Sequence, residues 1–107
     1  MKKMINLTPH TIIFVDSNNQ FITSVPSSGI ARAAQKRVPI GTVNGITVNK
    51  TEYGAVEGLP DPEYGTIYIV SVLTAQAAPH RNDLYIVDDT VRDDQGRIIG
   101  CRALAQI

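Results

Sequence analysis

Residues 66–87 read TIYIVSVLTAQAAPHRNDLYIV, and the fold turns on how this stretch divides. Thr66 to Val70 is an almost unbroken apolar run, the pattern of a strand covered on both faces. At Ser71 the composition changes to the Ala-rich SVLTAQAA, which favours helix, with Ser71 placed as its N-cap. Pro79 stops that helix, and Asp83 to Val87 starts a second β-rich run. The stretch therefore predicts strand, short helix, strand, with Ile67, Ile69, Val70, Leu84 and Ile86 forming the core beside the helix.

Outward from it, a period of two dominates. HTIIFVD (10–16) and QFITSV (20–25) flank the turn cluster SNN and read as a hairpin. Pro26-Ser27-Ser28-Gly29 breaks the pattern, and IARAAQKRVPI (30–40) follows, either a strand with Arg32 and Lys36 on one face, the reading favoured, or a short helix. Asn44-Gly45 lies between β-branched residues, and both tolerate the positive φ of a tight hairpin turn. GLPDPEYGT (58–66) has two prolines and two glycines, so it reads as a loop. VRDDQGRIIGCRALAQI (91–107) forms a last hairpin turning at Asp94-Gln95-Gly96, and VDDTVRDD before that turn reads as a solvated charged loop. The expectation is an α+β fold: a mostly antiparallel β-sheet of about six to eight strands with one short helix, in a single domain over residues 1–107. A helix this short leaves sheet surface uncovered, which points to a homo-oligomer, at least a dimer.

The 107 residues are 43% hydrophobic but include only two Phe, four Tyr and no Trp, so the core is aliphatic. Ten Lys and Arg balance ten Asp and Glu, which disfavours recruitment of a nucleic acid polymer or an anionic membrane. The single cysteine, Cys101, sits in apolar IIGCRAL, as a buried thiol in a reducing compartment would. No run approaches the roughly 20 apolar residues of a membrane span, and the N-terminus lacks a signal-peptide apolar region; a cytoplasmic protein is expected.

Chemistry has few candidates. His10 and His80 both follow proline, but neither begins the His-x-Thr or His-x-Ser motif of two-histidine phosphoesterases. One cysteine and two distant histidines give no metal cluster, no nucleophile motif is present, and glycine-rich phosphate loops are absent; no metal or cofactor is expected. Ser71 marks a strand-to-helix junction that either caps the helix or presents donors to an anion. A helix-to-strand connection needs Pro79 and one turn residue, so His80 and Arg81 exceed that need. Arg81 either pairs with Asp83 to lock the loop or offers its fork to phosphate or carboxylate.

INLTPHTI (5–12), GLPDPEYGTIYIVS (58–71) and RNDLYIVDDTVRDDQGRIIGCRAL (81–104) together resemble a family of small bacteriophage and prophage proteins, whereas residues 16–50 match only loosely. The resemblance implies a phage accessory protein acting in the host cytoplasm. By analogy, small phage proteins of this size include sponges that sequester nucleotide alarm signals made by immune systems such as Thoeris and CBASS. The expectation is a non-catalytic binding protein that captures a small phosphorylated nucleotide, cyclic ADP-ribose-like, in a pocket formed with a second protomer. In it the N–H groups after Ser71, with Arg81 and Arg102, hold phosphate, Asp83 and Thr8 bond ribose hydroxyls, and His10 or Tyr68 faces the base. The alternatives are a phosphodiesterase-like enzyme using His10 or His80, and a protein-binding inhibitor of a host defence protein presenting the edge strand GITVNKTEY (45–53).

Overall fold

The computed structural model describes residues 2–107. The run at 66–70 holds the centre of the chain's packing: Thr66, Ile67, Tyr68 and Ile69 form a strand in which all four residues are buried, and Val70 beyond it is buried too. Among the described residues there are eight strands and one helix, so the fold is mainly β with a single short helical segment. In chain order these are β1 (Lys3–Asn6), β2 (Ile12–Val15), β3 (Phe21–Val25), β4 (Arg32–Val43), β5 (Ile46–Glu57), β6 (Thr66–Ile69), α1 (Val72–Ala77), β7 (Leu84–Arg92) and β8 (Ile98–Ala105).

Six strands form one sheet in the order β1-β6-β7-β8-β2-β3, and β4 pairs with β5 alone. The β2–β3, β4–β5 and β7–β8 hairpins are antiparallel and contain most of the paired residues. The strand–helix–strand reading makes β6 and β7 parallel, because a helical crossover returns the chain in the same direction. β1 is also parallel to β6, and β2 meets β8 in parallel at Phe14 and Cys101, so the six-stranded sheet is mixed within a fold whose pairing is mainly antiparallel, as expected. The acidic stretch VDDTVRDD is not a solvated loop: β7 continues to Arg92, with a positive φ of 48° at Asp89 marking an irregularity in the strand.

Alternation along β6 sends neighbours to opposite faces. Tyr68 and Val70 join Leu7, Ala31, Ala75, Ala78 and Leu84 in a cluster against α1, with Ile86 packed on it. Ile69 lies in a different cluster with Ile12, Phe14 and Cys101, and Ile67 shares its face of the strand. The expectation that both isoleucines sit beside the helix is therefore corrected by the strand's own pleat. Met4 of β1 and Val25 of β3, from opposite ends of the strand order, both pack on this second cluster, so the sheet wraps round it. A bridge between Asn6 and Ser27, and a 2.8 Å bond from the Ser28 N–H to the Asn6 carbonyl, bring those ends together.

β4 and β5 form a long ribbon of 12 residues per strand, turning at Asn44 and Gly45 with φ of 50° and 79°. Its base is anchored by Val56 and Leu59 on the helix-side cluster and by a 3.3 Å bond between Tyr53 Oη and Gln76 Oε1. Gly58, at φ +80°, lets the ribbon's exit pass close to Ile30, whose carbonyl oxygen would lie 2.5 Å from any added Cβ. The remainder of the ribbon is mostly exposed. The Cα radius of gyration is 16.5 Å, against about 13 Å for a compact chain of this length, as a projecting arm requires.

Candidate functional site

Asn6 is fully buried at the end of β1 and uses its whole amide. Its Nδ2 donates to the His10 carbonyl at 2.7 Å and the Val25 carbonyl at 2.9 Å. Its Oδ1 accepts from the Thr8 N–H at 2.9 Å and the Thr8 hydroxyl at 2.6 Å. A side-chain oxygen reaching a backbone N–H two residues on is the local habit of asparagine, and here it folds Leu7-Thr8-Pro9-His10 into a fixed turn. The Ser27 hydroxyl ties the same turn to the chain after β3 by donating to the Thr8 carbonyl at 2.6 Å.

That turn forms one wall of a groove of about 590 Å³, within the range of small-molecule sites. Beside it, where the neighbouring parallel strand β6 ends, the junction with α1 at Val70, Ser71 and Val72 also lines the groove. Its floor is aliphatic, from Ile12 and Ile13 of β2, Ile86 and Val87 of β7, and Ile98 and Ile99 of β8. Thr8, His10, Thr11, Ser71, Thr90 and Cys101 supply its polar side chains, and no charged carboxylate or guanidinium lines it.

The hydroxyls at the rim are partly committed. Ser71 caps α1, accepting from the Thr74 N–H at 3.3 Å and donating to the Thr74 hydroxyl at 3.0 Å. The Thr8 proton goes to Asn6. Toward a ligand, both oxygens therefore accept rather than donate, which suits hydroxyl and amino groups and not phosphate. Among the described residues the His10 imidazole has no hydrogen-bond partner, and its exposed ring remains free to donate or accept. Burial pushes the Cys101 thiol pKa up, so this sulfur is a poor nucleophile.

Of the seven residues expected at a binding site, the structure brings together Thr8, His10 and Ser71. The other four are elsewhere. Arg81 grips Asp83 with two parallel bonds of 2.9 and 2.8 Å and also donates to the Pro60 carbonyl at 3.0 Å. The two side chains are only 11% and 12% exposed, so the guanidinium clasps loops and its fork is not offered to phosphate. The hydrogen bond from Arg81 holds the Asp83 carboxyl below its ordinary range, and Asp83 is correspondingly unavailable to a ribose. Tyr68 is 1% exposed beneath the Arg81 guanidinium, 5.9 Å from its ring centre, and cannot face a base. Arg102 bonds Asn19 at 3.0 Å and Asp89 at 3.1 Å, tying the β2–β3 turn to β7.

Asn6 and Thr90 were not singled out from the sequence. Asn6 had a local signal, since Asn two residues before Thr-Pro is a turn-forming arrangement; Thr90 stood in a stretch read as a loop. His80 follows α1 and does not line the groove, so the two histidines share no site. No group of three or more His, Cys, Asp or Glu among the described residues gathers as metal ligands, and no helix among them is long and apolar enough to cross a membrane. Comparison with known proteins finds no matching family model, no similar curated protein and no similar solved structure.

Proposed function

We propose that the protein binds a small nucleotide without turning it over, with base and ribose in the groove and phosphates at its mouth. The observation that carries this reading is the groove itself: an aliphatic floor of about 590 Å³ rimmed by Thr8, Ser71, Thr90 and the free imidazole of His10. A planar base packs on isoleucine and valine side chains, ribose hydroxyls donate to Thr8 and Ser71, and His10 meets a base edge. Arg81 and Arg102 are engaged in internal pairs, so the groove wall itself supplies no phosphate clamp. In the setting that the phage resemblance implies, the ligand is a cyclic ADP-ribose-like alarm signal in the host cytoplasm, sequestered rather than destroyed.

Calorimetric titration with adenosine, AMP and cyclic ADP-ribose tests the reading. At least one binds, His10→Ala weakens it roughly 10-fold by loss of one hydrogen bond, and chromatography after denaturation returns the ligand intact. Recovery of a cleaved product would favour the phosphodiesterase alternative, and no heat with any of the three would end the nucleotide reading.

A further inference from the structure

The β4–β5 arm has two unlike faces. Cross-strand pairing places Val38 beside Lys50, Gly41 beside Val48 and Val43 beside Ile46, with Ile40 in the bulge between Pro39 and Gly41. Val38, Val43, Ile46 and Val48 thus share one face, Ile40 joins it at the bulge, and Lys50 and then Lys36, paired across the ribbon with Glu52, follow toward the base. The opposite face carries Arg37, Thr42, Thr47, Asn49 and Thr51. Ile40, Val43 and Ile46 are 64%, 59% and 69% exposed. A two-stranded ribbon without further support is marginal in water, so an aliphatic face held away from the body needs a cover.

The body has a matching surface. Ile13, Val72, Ile98 and Ile99 line the groove and remain exposed. Residues 32–57 carry four cations against two carboxylates, and since the formal charge of the chain is zero, the rest carries the opposite excess. We infer that the protein forms a two-fold dimer in which each arm lies, aliphatic face down, across the mouth of its partner's groove. The face from Lys36 to Val43 spans eight residues of the ribbon, about 26 Å long and about 10 Å wide, roughly 260 Å². Two arms, counted with the surfaces they cover, bury about 1,000 Å², the lower bound for a specific interface. The arrangement also places the partner's Lys36 and the partner's Lys50 at a mouth that has no cation of its own. Their role as phosphate ligands rests on the nucleotide reading; the dimer does not.

Light scattering on the purified chain is the first test, with the mass of two chains expected rather than 11.6 kDa. Ile40→Asp with Ile46→Asp, both at exposed positions, gives a monomer with an unchanged circular dichroism spectrum. A wild-type monomer at tens of micromolar overturns the proposal. The geometry is tested by oxidising Ile46→Cys and Ile98→Cys proteins separately and mixed: a covalent heterodimer confined to the mixture supports arm-on-groove docking. Efficient cross-linking of Ile46→Cys alone would show arm meeting arm and overturn it. For the lysines, Lys36→Ala with Lys50→Ala lowers AMP affinity roughly 10-fold toward that of adenosine. Adenosine binding with an unaltered AMP ratio would refute their phosphate role, whereas loss of all binding in the wild type would refute the nucleotide reading with the dimer untouched.

Discussion

Replacing Asn6 with alanine removes four hydrogen bonds at once: two donated to the His10 and Val25 carbonyls and two accepted from Thr8. A buried hydrogen bond is worth about 1 kcal/mol net, and partners left unsatisfied in the interior cost more. The Thr8 hydroxyl and the His10 carbonyl lie near solvent and recover part of the loss by meeting water. Asn6→Ala should therefore lower stability by about 3 to 4 kcal/mol, a large share of the roughly 5 to 15 kcal/mol available to a domain. Thr8→Val deletes only the hydroxyl, leaves the Thr8 N–H on Asn6, and should cost about 1 kcal/mol. Urea unfolding followed by circular dichroism measures both, and the double variant should lose less than the sum of the two, because Asn6→Ala already removes the shorter Thr8 hydroxyl bond and leaves only the 3.2 Å one to the His10 carbonyl. A loss below about 1 kcal/mol for Asn6→Ala would refute the view that this one amide holds the turn. Since the turn is a wall of the groove, the same variant should also weaken ligand binding without altering any groove-lining side chain.

The Arg81–Asp83 clasp predicts the reverse pattern. Arg81→Ala should lower stability by about 2 to 3 kcal/mol, because it strands a mostly buried carboxylate, and leave groove affinity unchanged. Arg81 lowers the pKa of Asp83 in the folded protein, so the clasp's contribution is fully present above the unfolded carboxylate value of about 3.9 and is lost as pH falls through the folded value. The difference in urea midpoint between wild type and Asp83→Asn should be present at pH 7 and shrink on acidification below pH 4; a gap that widens there would contradict the sign. Cys101 is 2% exposed with a raised thiol pKa, so it should react with a disulfide reagent only on unfolding, and rapid labelling of the native protein at pH 8 would show that the groove floor opens.

The parts of the fold legible in the sequence are those whose causes are local. Ser71 caps the helix through a bond to Thr74, three residues on, and Asn44-Gly45 turns its hairpin by its own backbone freedom. β1 is different: Lys3-Met4-Ile5-Asn6 has a lysine and an asparagine in four residues, and it is a strand because Thr66–Ile69 lies beside it, about 60 residues away. The parallel junctions share that origin, since direction is set by where the chain returns and not by any residue in the strand. Side-chain commitments divide in the same way. Arg81 left two readings open, and the choice fell to the clasp because Asp83 completes the fork while the Pro60 carbonyl, 21 residues earlier, takes another N–H. Arg102 finds its acceptors in Asn19 and Asp89, on other elements.

A chain with no Trp and an aliphatic core fixes its loops with polar bonds, so donor-rich stretches are drawn into holding the backbone. Asn6, Ser27, Ser71, Thr74 and Arg81 all do so. The groove, by contrast, has an aliphatic floor that carries no motif. What it offers a ligand is the polar capacity the fold leaves over: acceptor lone pairs on Thr8 and Ser71, and the imidazole of His10. For that reason His10→Ala separates binding from stability, because it removes a groove contact while leaving every hydrogen bond of the Asn6 turn in place.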